Sequence, residues 1–307
     1  MADKTSAQFI LETVLNIGRR ANQQHGDTPL RVIKAGHNEW MFEFSLEYDE
    51  LFDRFLELQK KNLPYSKLQK ELISIIDKMP EIFDASHELG MLYLYTNRRK
   101  EACEVYEKAL SLARQYIPKQ FVSGKDMIPW GFVQNRPYLR LLEGYADFVS
   151  ETKGAQEAIL LYEGLLSLNP GDNQGVRAVV STLCLKLGQP EKVIELASRY
   201  PDDFMPEVTV GFILALYQVG NKDEAQKRIQ KHADFHKRVF AEILKVTHKK
   251  PQEMSDDGYI MVGGKDQAWH YWEEQGSCWM ATRGAREFLK ECLAKENLRQ
   301  MRMNRAL

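Results

Sequence analysis

Apolar and polar positions alternate with a helical period over most of this chain. Leu51, Phe55 and Leu58, then Leu68, Leu72, Ile75 and Ile76, recur at spacings of three and four on either side of Asn62-Leu63-Pro64, which predicts two amphipathic helices joined by a turn between Leu46 and Met79. Beyond Pro80 the period continues in pairs. Leu89 and Tyr93 precede an Asn97-Arg98-Arg99 turn, after which Ala102, Tyr106 and Ala109 resume it. Ala146 and Val149 are followed by Ala158 and Tyr162, ending at Pro170; Val193 and Ala197 follow the Leu187-Gly188 turn, and Ala225 and Ile229 follow Tyr217 and Gly220-Asn221. Pro170 closes one helix, and Asp172 or Asn173 is placed to cap the next.

Two stretches break the pattern. Residues 24–45 have no helical period, and Val32, Ile33, Trp40, Met41, Phe42 and Phe44 fit short strands as well as an extended arm. Residues 114–137 hold Pro118, Pro129 and Pro137 with Gly124 and Gly131, so a simple helix is excluded there. The aromatics of that insertion, Trp130 and Phe132, and Tyr138 just beyond it, require burial against something.

The pairs return at intervals of about 32 to 35 residues. Leu89-Gly90-x2-Tyr93 followed by Ala102-x3-Tyr106-x2-Ala109 resembles the tetratricopeptide repeat, in which small residues let two antiparallel helices approach. The resemblance implies an all-α fold, a right-handed superhelical solenoid of helical hairpins over residues 46–234 with the insertion at 114–137. An N-terminal helix and arm (1–45) would precede it and a C-terminal helical cap (235–307) would follow. Trp130-Gly131, Asn135-Arg136-Pro137-Tyr138-Leu139-Arg140 and Leu168-Asn169-Pro170-Gly171-Asp172-Asn173-Gln174-Gly175-Val176-Arg177 also resemble a block in uncharacterised bacterial tetratricopeptide proteins and, more loosely, the suppressor-of-tumorigenicity-seven family. Its C-terminal counterpart is Gly258-Tyr259-Ile260, Gly263-Gly264, Ala268, Tyr271-Trp272, Trp279 and Gly284-Ala285. This second resemblance implies a scaffold and carries no catalytic residue.

In such an array the first helix of each repeat lines a concave groove. The register puts His87, Met91 and Tyr95 there in the first repeat, Arg140, Glu143 and Asp147 in the second, Ala178 and Thr182 in the third, and Val210 and Leu214 in the fourth. From the insertion, Trp130, Phe132, Arg136 and Tyr138 are the candidate contacts. The expected function is non-enzymatic capture of a protein or peptide, with aromatic anchors such as Trp130 or Tyr95. Chaperone-binding repeats that grip a C-terminal carboxylate place Lys and Asn at two first-repeat positions, where this chain has His87 and Met91.

Charge narrows the partner classes. Lys+Arg total 42 against Asp+Glu 43, a net charge of -1, so no global field favours nucleic acid or a membrane surface. The four cysteines, Cys103, Cys184, Cys278 and Cys292, form no CxxC pair, which argues against a disulfide framework or zinc ribbon. With no signal peptide or apolar run of about 20 residues, a cytoplasmic location is expected.

Three motifs invite chemistry. His232 and His236, spaced i, i+4, would share a helix face and, with Asp223 or Asp234, define the rival reading of a metal-dependent hydrolase, although no HExxH glutamate follows His232. Gly263-Gly264-Lys265 imitates a phosphate loop, but Asp266 stands where a Ser or Thr would meet magnesium, and a turn into a helix is the better account. Trp269, Tyr271, Trp272 and Trp279 lie among Asp266, Glu273 and Glu274, which favours a buried cap over base stacking. Arg299, Arg302 and Arg305 with Lys290 and Lys295 read as a solvated helix face. No catalytic residue, cofactor or metal ligand is assigned.

Overall fold

A computed structural model describes residues 28–252, 254 and 259–306; the helix expected near the N-terminus lies outside them. The chain is mainly helical, an all-α helical-repeat fold carrying, among the described residues, one small β-hairpin. It divides into two compact units at Val176/Arg177, a boundary that falls within the run of helices expected to form a single array.

The first unit opens with the hairpin, β1 (Leu30–Lys34) and β2 (Trp40–Phe44), antiparallel with Leu30 opposite Phe44 and Lys34 opposite Trp40. Alternation along β2 buries Trp40 and Phe42, the period-2 pattern of a half-covered strand. Ser45 then caps α1 (Leu46–Gln59), its hydroxyl accepting from the Tyr48 amide at 3.2 Å. Helices α2 (Tyr65–Lys78), α3 (Phe83–Tyr95), α4 (Arg99–Tyr116), α5 (Arg136–Thr152) and α6 (Ala155–Leu168) complete this unit. Pairs α3/α4 and α5/α6 pack as hairpins, and α3 packs in turn on α5.

Small residues sit at the crossings, Gly90 among those read from the sequence. A Cβ on Gly90 would lie 2.6 Å from the Tyr106 ring, and one on Gly144 2.3 Å from His87 Nδ1. Asn97, with φ 59°, makes the left-handed turn between α3 and α4, a conformation that Asn tolerates better than most residues.

The irregular stretch is shorter than expected. Helix α4 runs to Tyr116 and a 3₁₀ turn over Val133–Asn135 leads straight into α5, so only residues 117–135 interrupt the repeats. Arg136 and Tyr138 are therefore first-turn residues of α5, with Pro137 at a position where its missing N–H costs nothing. Tyr138 is a core residue, packed 5.3 Å from the Phe42 ring.

The second unit holds α7, which spans Val176–Lys186 and so begins on the last residue of the first, then α8 (Pro190–Arg199), α9 (Pro206–Gln218), α10 (Lys222–His232), α11 (Lys237–Ile243), α12 (Lys265–Ala281) and α13 (Ala285–Ala306). Helices α8/α9 and α9/α10 are close neighbours; α12 packs on α9 and α11, and α13 on α10. The Gly263-Gly264 turn leads into α12 as expected. Asp266 anchors it, its carboxylate accepting from Met261 N at 2.6 Å.

Candidate partner-binding surface

The positions expected on a concave face in the first unit lie on α3 and α5. On α3, Met91 and Tyr95 remain 43% and 78% exposed, and the Tyr95 ring meets Tyr65 edge-on at 5.6 Å. His87 sits deeper, against Gly144 and 3.5 Å from the Tyr106 hydroxyl; burial holds its imidazole below the usual range and hence neutral. A neutral imidazole therefore stands where a carboxylate-gripping repeat would place a cation.

On α5, Glu143, Asp147 and Glu151 follow at i, i+4 and i+8, one stripe along a single face. Glu143 accepts a hydrogen bond from Gln174, and Asp147 from the Tyr162 hydroxyl. Burial, with Asp147 and Asp172 nearby, pushes the Glu143 carboxyl up to about 7. No cation forms an ion pair with these three carboxylates among the described residues. Glu151 completes the stripe but was not singled out from the sequence; its signal was the four-residue spacing from Asp147.

Arg140 is different. Its Nε and one terminal nitrogen donate to Asp84 at 2.8 and 2.7 Å, a two-point pair between α3 and α5. The guanidinium groups of Arg136 and Arg140 also lie 5.2 and 5.8 Å from the Trp130 ring centroid. Trp130 donates its amide to Asn169 Oδ1 at 3.2 Å, and its carbonyl accepts from Arg136 at the same distance. Trp130 is thus fastened into the first unit with its ring half-buried, as is Phe132.

Asn135 is the hub of the insertion. Fully buried, it accepts from Phe42 N at 2.9 Å and donates to the carbonyls of Trp40 at 3.0 Å and Pro129 at 2.9 Å. A carboxamide alone can satisfy two acceptors and a donor in this way. Asp172 accepts from Val176 N at 2.8 Å as a helix cap. The Trp-Gly, Asn-Arg-Pro and Asn-Pro-Gly-Asp block therefore fastens hairpin, insertion and repeats to one another.

In the second unit the expected groove is filled. Thr182 and Leu214, placed by register on the concave face, are only 4% and 0% exposed. Gln275 of α12 donates to Thr182 Oγ1 at 2.9 Å and to the Glu207 carbonyl at 2.8 Å. Gly211 makes room, since a Cβ there would lie 2.9 Å from Gln275 Oε1. Ala178 and Val210 are buried as well. All four positions are core, and α12, distant in sequence, reaches Thr182 directly through Gln275. Their expected role as contacts for a partner does not hold.

The remaining motifs resolve into structure. His236 is buried with Nε2 2.7 Å from Thr209 Oγ1, and its ring centroid is 5.7 Å from that of His232. Burial first, then His232, pushes the His236 imidazole down to about 4. Among the described residues no three His, Cys, Asp or Glu side chains gather where a metal ion would fit. Trp279 donates to the Tyr271 hydroxyl at 2.6 Å inside the core, and Trp272 stacks on His248 at 3.5 Å. The side chains of Arg299, Arg302 and Arg305 lie outside the described set. No described helix is long and apolar enough to cross a membrane.

A family model for the tetratricopeptide repeat matches residues 83–116, the α3/α4 hairpin with its turn. The chain therefore contains a tetratricopeptide repeat. No curated protein and no solved structure matches it.

Proposed function

We propose that this chain is a non-enzymatic interaction protein that captures a protein segment on the concave face formed by α3 and α5, and that the segment carries lysine or arginine beside an apolar side chain. The observation that carries this reading is the stripe of Glu143, Asp147 and Glu151 on one face of α5, unpaired with any described cation, on the helix that packs against α3 with its exposed Met91 and Tyr95. Like charges four residues apart weaken a helix by a few tenths of a kcal/mol each. A cationic partner would reverse that cost on docking, and the apolar contacts supply area that charge alone does not. Tetratricopeptide repeats generally serve as interaction modules, which supports the class of function.

The test is affinity capture from native cytosol with the wild type and a Glu143→Gln, Asp147→Asn double variant, each at two salt concentrations. Both changes keep the side-chain shape while removing charge. A basic partner retained by the wild type, released by salt and lost by the folded variant would establish the reading. A partner retained equally by both would move the site off this groove.

A further inference from the structure

A second feature of the first unit faces away from the groove. Residues Ser86, Leu89 and Tyr93 of α3 lie roughly half a helical turn around from His87, Met91 and Tyr95, given 100° per residue. They floor a cleft of 480 Å³ walled by Ile73 and Ile76 of α2 and by Val105 and Leu112 of α4. Its size lies inside the range of about 300–1,000 Å³ typical of small-molecule sites. The walls are mainly half-exposed aliphatic side chains, with polar Ser111 and Gln115 on the α4 side, and no described residue covers them.

Besides the Tyr93 hydroxyl, which accepts from Gln69, the floor carries one polar group. Ser86 is 2% exposed, yet its hydroxyl has no hydrogen-bond partner among the described residues and borders the cleft. The hydroxyl is not sealed from solvent; it opens into the cleft, where a bound donor can reach it. At the mouth Asp77 and Lys108 carry opposite charges, so the rim gives no net preference for an ion.

We infer that this cleft binds a neutral, largely apolar small molecule whose one N–H or O–H group donates to Ser86 Oγ. The aliphatic walls take the hydrocarbon body, and the serine selects ligands with a donor over isosteric hydrocarbons. The site is independent of the groove and of its proposed partner.

The test uses the full chain and N-phenyl-1-naphthylamine, whose fluorescence rises in apolar surroundings, with 1-benzylnaphthalene, which has CH2 in place of the N–H, as competitor. Saturable, single-site enhancement is expected. Val105→Trp and Leu112→Trp each fill the cleft from one wall and should abolish it, with circular dichroism confirming the fold. Ser86→Ala should weaken the amine by about three- to tenfold, the worth of one hydrogen bond, and leave the hydrocarbon's affinity unchanged. The inference is overturned if the full chain gives no enhancement, as when a segment of its own or a partner helix owns the cleft. It is equally overturned if the dye still binds a folded Trp variant, which would place it elsewhere, as on exposed Tyr259–Val262. Should both Trp variants fail to fold, the Ser86→Ala comparison decides: equal weakening of both ligands, or of neither, rejects the assignment.

Discussion

Arg140 grips Asp84 through two nitrogens, at 2.8 and 2.7 Å, across the contact between α5 and α3. Asp84 is almost completely buried and Arg140 only partly so. The register puts Arg140 among the partner-facing residues, but its fork of donors is committed within the chain. Removing one member of such a pair leaves a buried charge uncompensated. Arg140→Ala is expected to cost about 2–3 kcal/mol of unfolding free energy, somewhat below the fully buried range because the arginine reaches solvent. Replacing both partners, Asp84→Leu with Arg140→Met, should recover most of that loss. Equilibrium denaturation measures both, and a loss below about 0.5 kcal/mol for the single variant would mean that the pair behaves as an ordinary surface bridge.

Gln275 makes a comparable commitment in the second unit, where it bridges Thr182 and the Glu207 carbonyl. Gln275→Ala removes both bonds, although the Glu207 carbonyl keeps the Ser181 hydroxyl at 2.6 Å, and is expected to destabilise by about 1–2 kcal/mol. Gly211→Ala acts from the opposite side, since its Cβ would meet Gln275 Oε1 at 2.9 Å and Ser181 Oγ at 3.0 Å. Hydrogen exchange should show α12 losing protection in both variants. Unchanged exchange along α12 would show that its hold on α9 does not depend on this contact.

What the sequence could and could not convey divides along the range of the interaction. Gly90, Ala102, Tyr106 and Ala109 revealed a repeat because the helices they bring together are joined by a short turn, so spacing alone encodes the contact. Thr182 and Leu214 satisfied the same register, yet nothing nearby in the chain announced that they would be buried, or that α12, more than eighty residues beyond Thr182, would reach it. Gln275 gave no signal either, since a glutamine in a helix usually faces water. Asn135 read as part of a turn; its three hydrogen bonds join backbone that is 93 to 95 residues away on one side and six on the other. The acidic stripe of α5 was legible as far as Glu143 and Asp147, and the same arithmetic reaches Glu151.

Asn135 offers a test of how the hairpin is held. With no exposed surface and three partners, it tolerates neither aspartate, which cannot donate to the Trp40 and Pro129 carbonyls, nor alanine. Asn135→Asp and Asn135→Ala should each cost about 2–4 kcal/mol, the sum of a few orphaned buried groups. The Phe42 amide should exchange faster in both. If the hairpin amides stay protected in a folded Asn135→Ala variant, then Phe42 packing against Phe83 and Tyr138 suffices to hold it.

Two titrating groups, one in each unit, should give the stability a dependence on pH from opposite sides. Burial raises the Glu143 carboxyl from 4.5 to about 7, with Asp147 and Asp172 adding to the effect and Gln174 and Arg140 opposing it. Between those values the folded chain holds a proton that the unfolded chain has released, so rising pH removes stability across that window. Burial lowers the His236 imidazole from 6.5 to about 4, reinforced by His232 and opposed by Asp203. Between these values the unfolded chain binds the extra proton, so falling pH removes stability. Glu143→Gln, which can still accept from Gln174, should stabilise by about 1–2 kcal/mol at pH about 8 after allowance for solvent screening, with no gain near pH 4. His236→Gln should flatten the acid limb between pH about 6.5 and 4, where the histidine contributes on the order of 2–3 kcal/mol. Denaturant titrations across this range separate the two effects. A Glu143→Gln gain as large at pH 4 as at pH 8 would assign it to packing rather than charge, and an unchanged acid limb in His236→Gln would place the acid sensitivity in other groups.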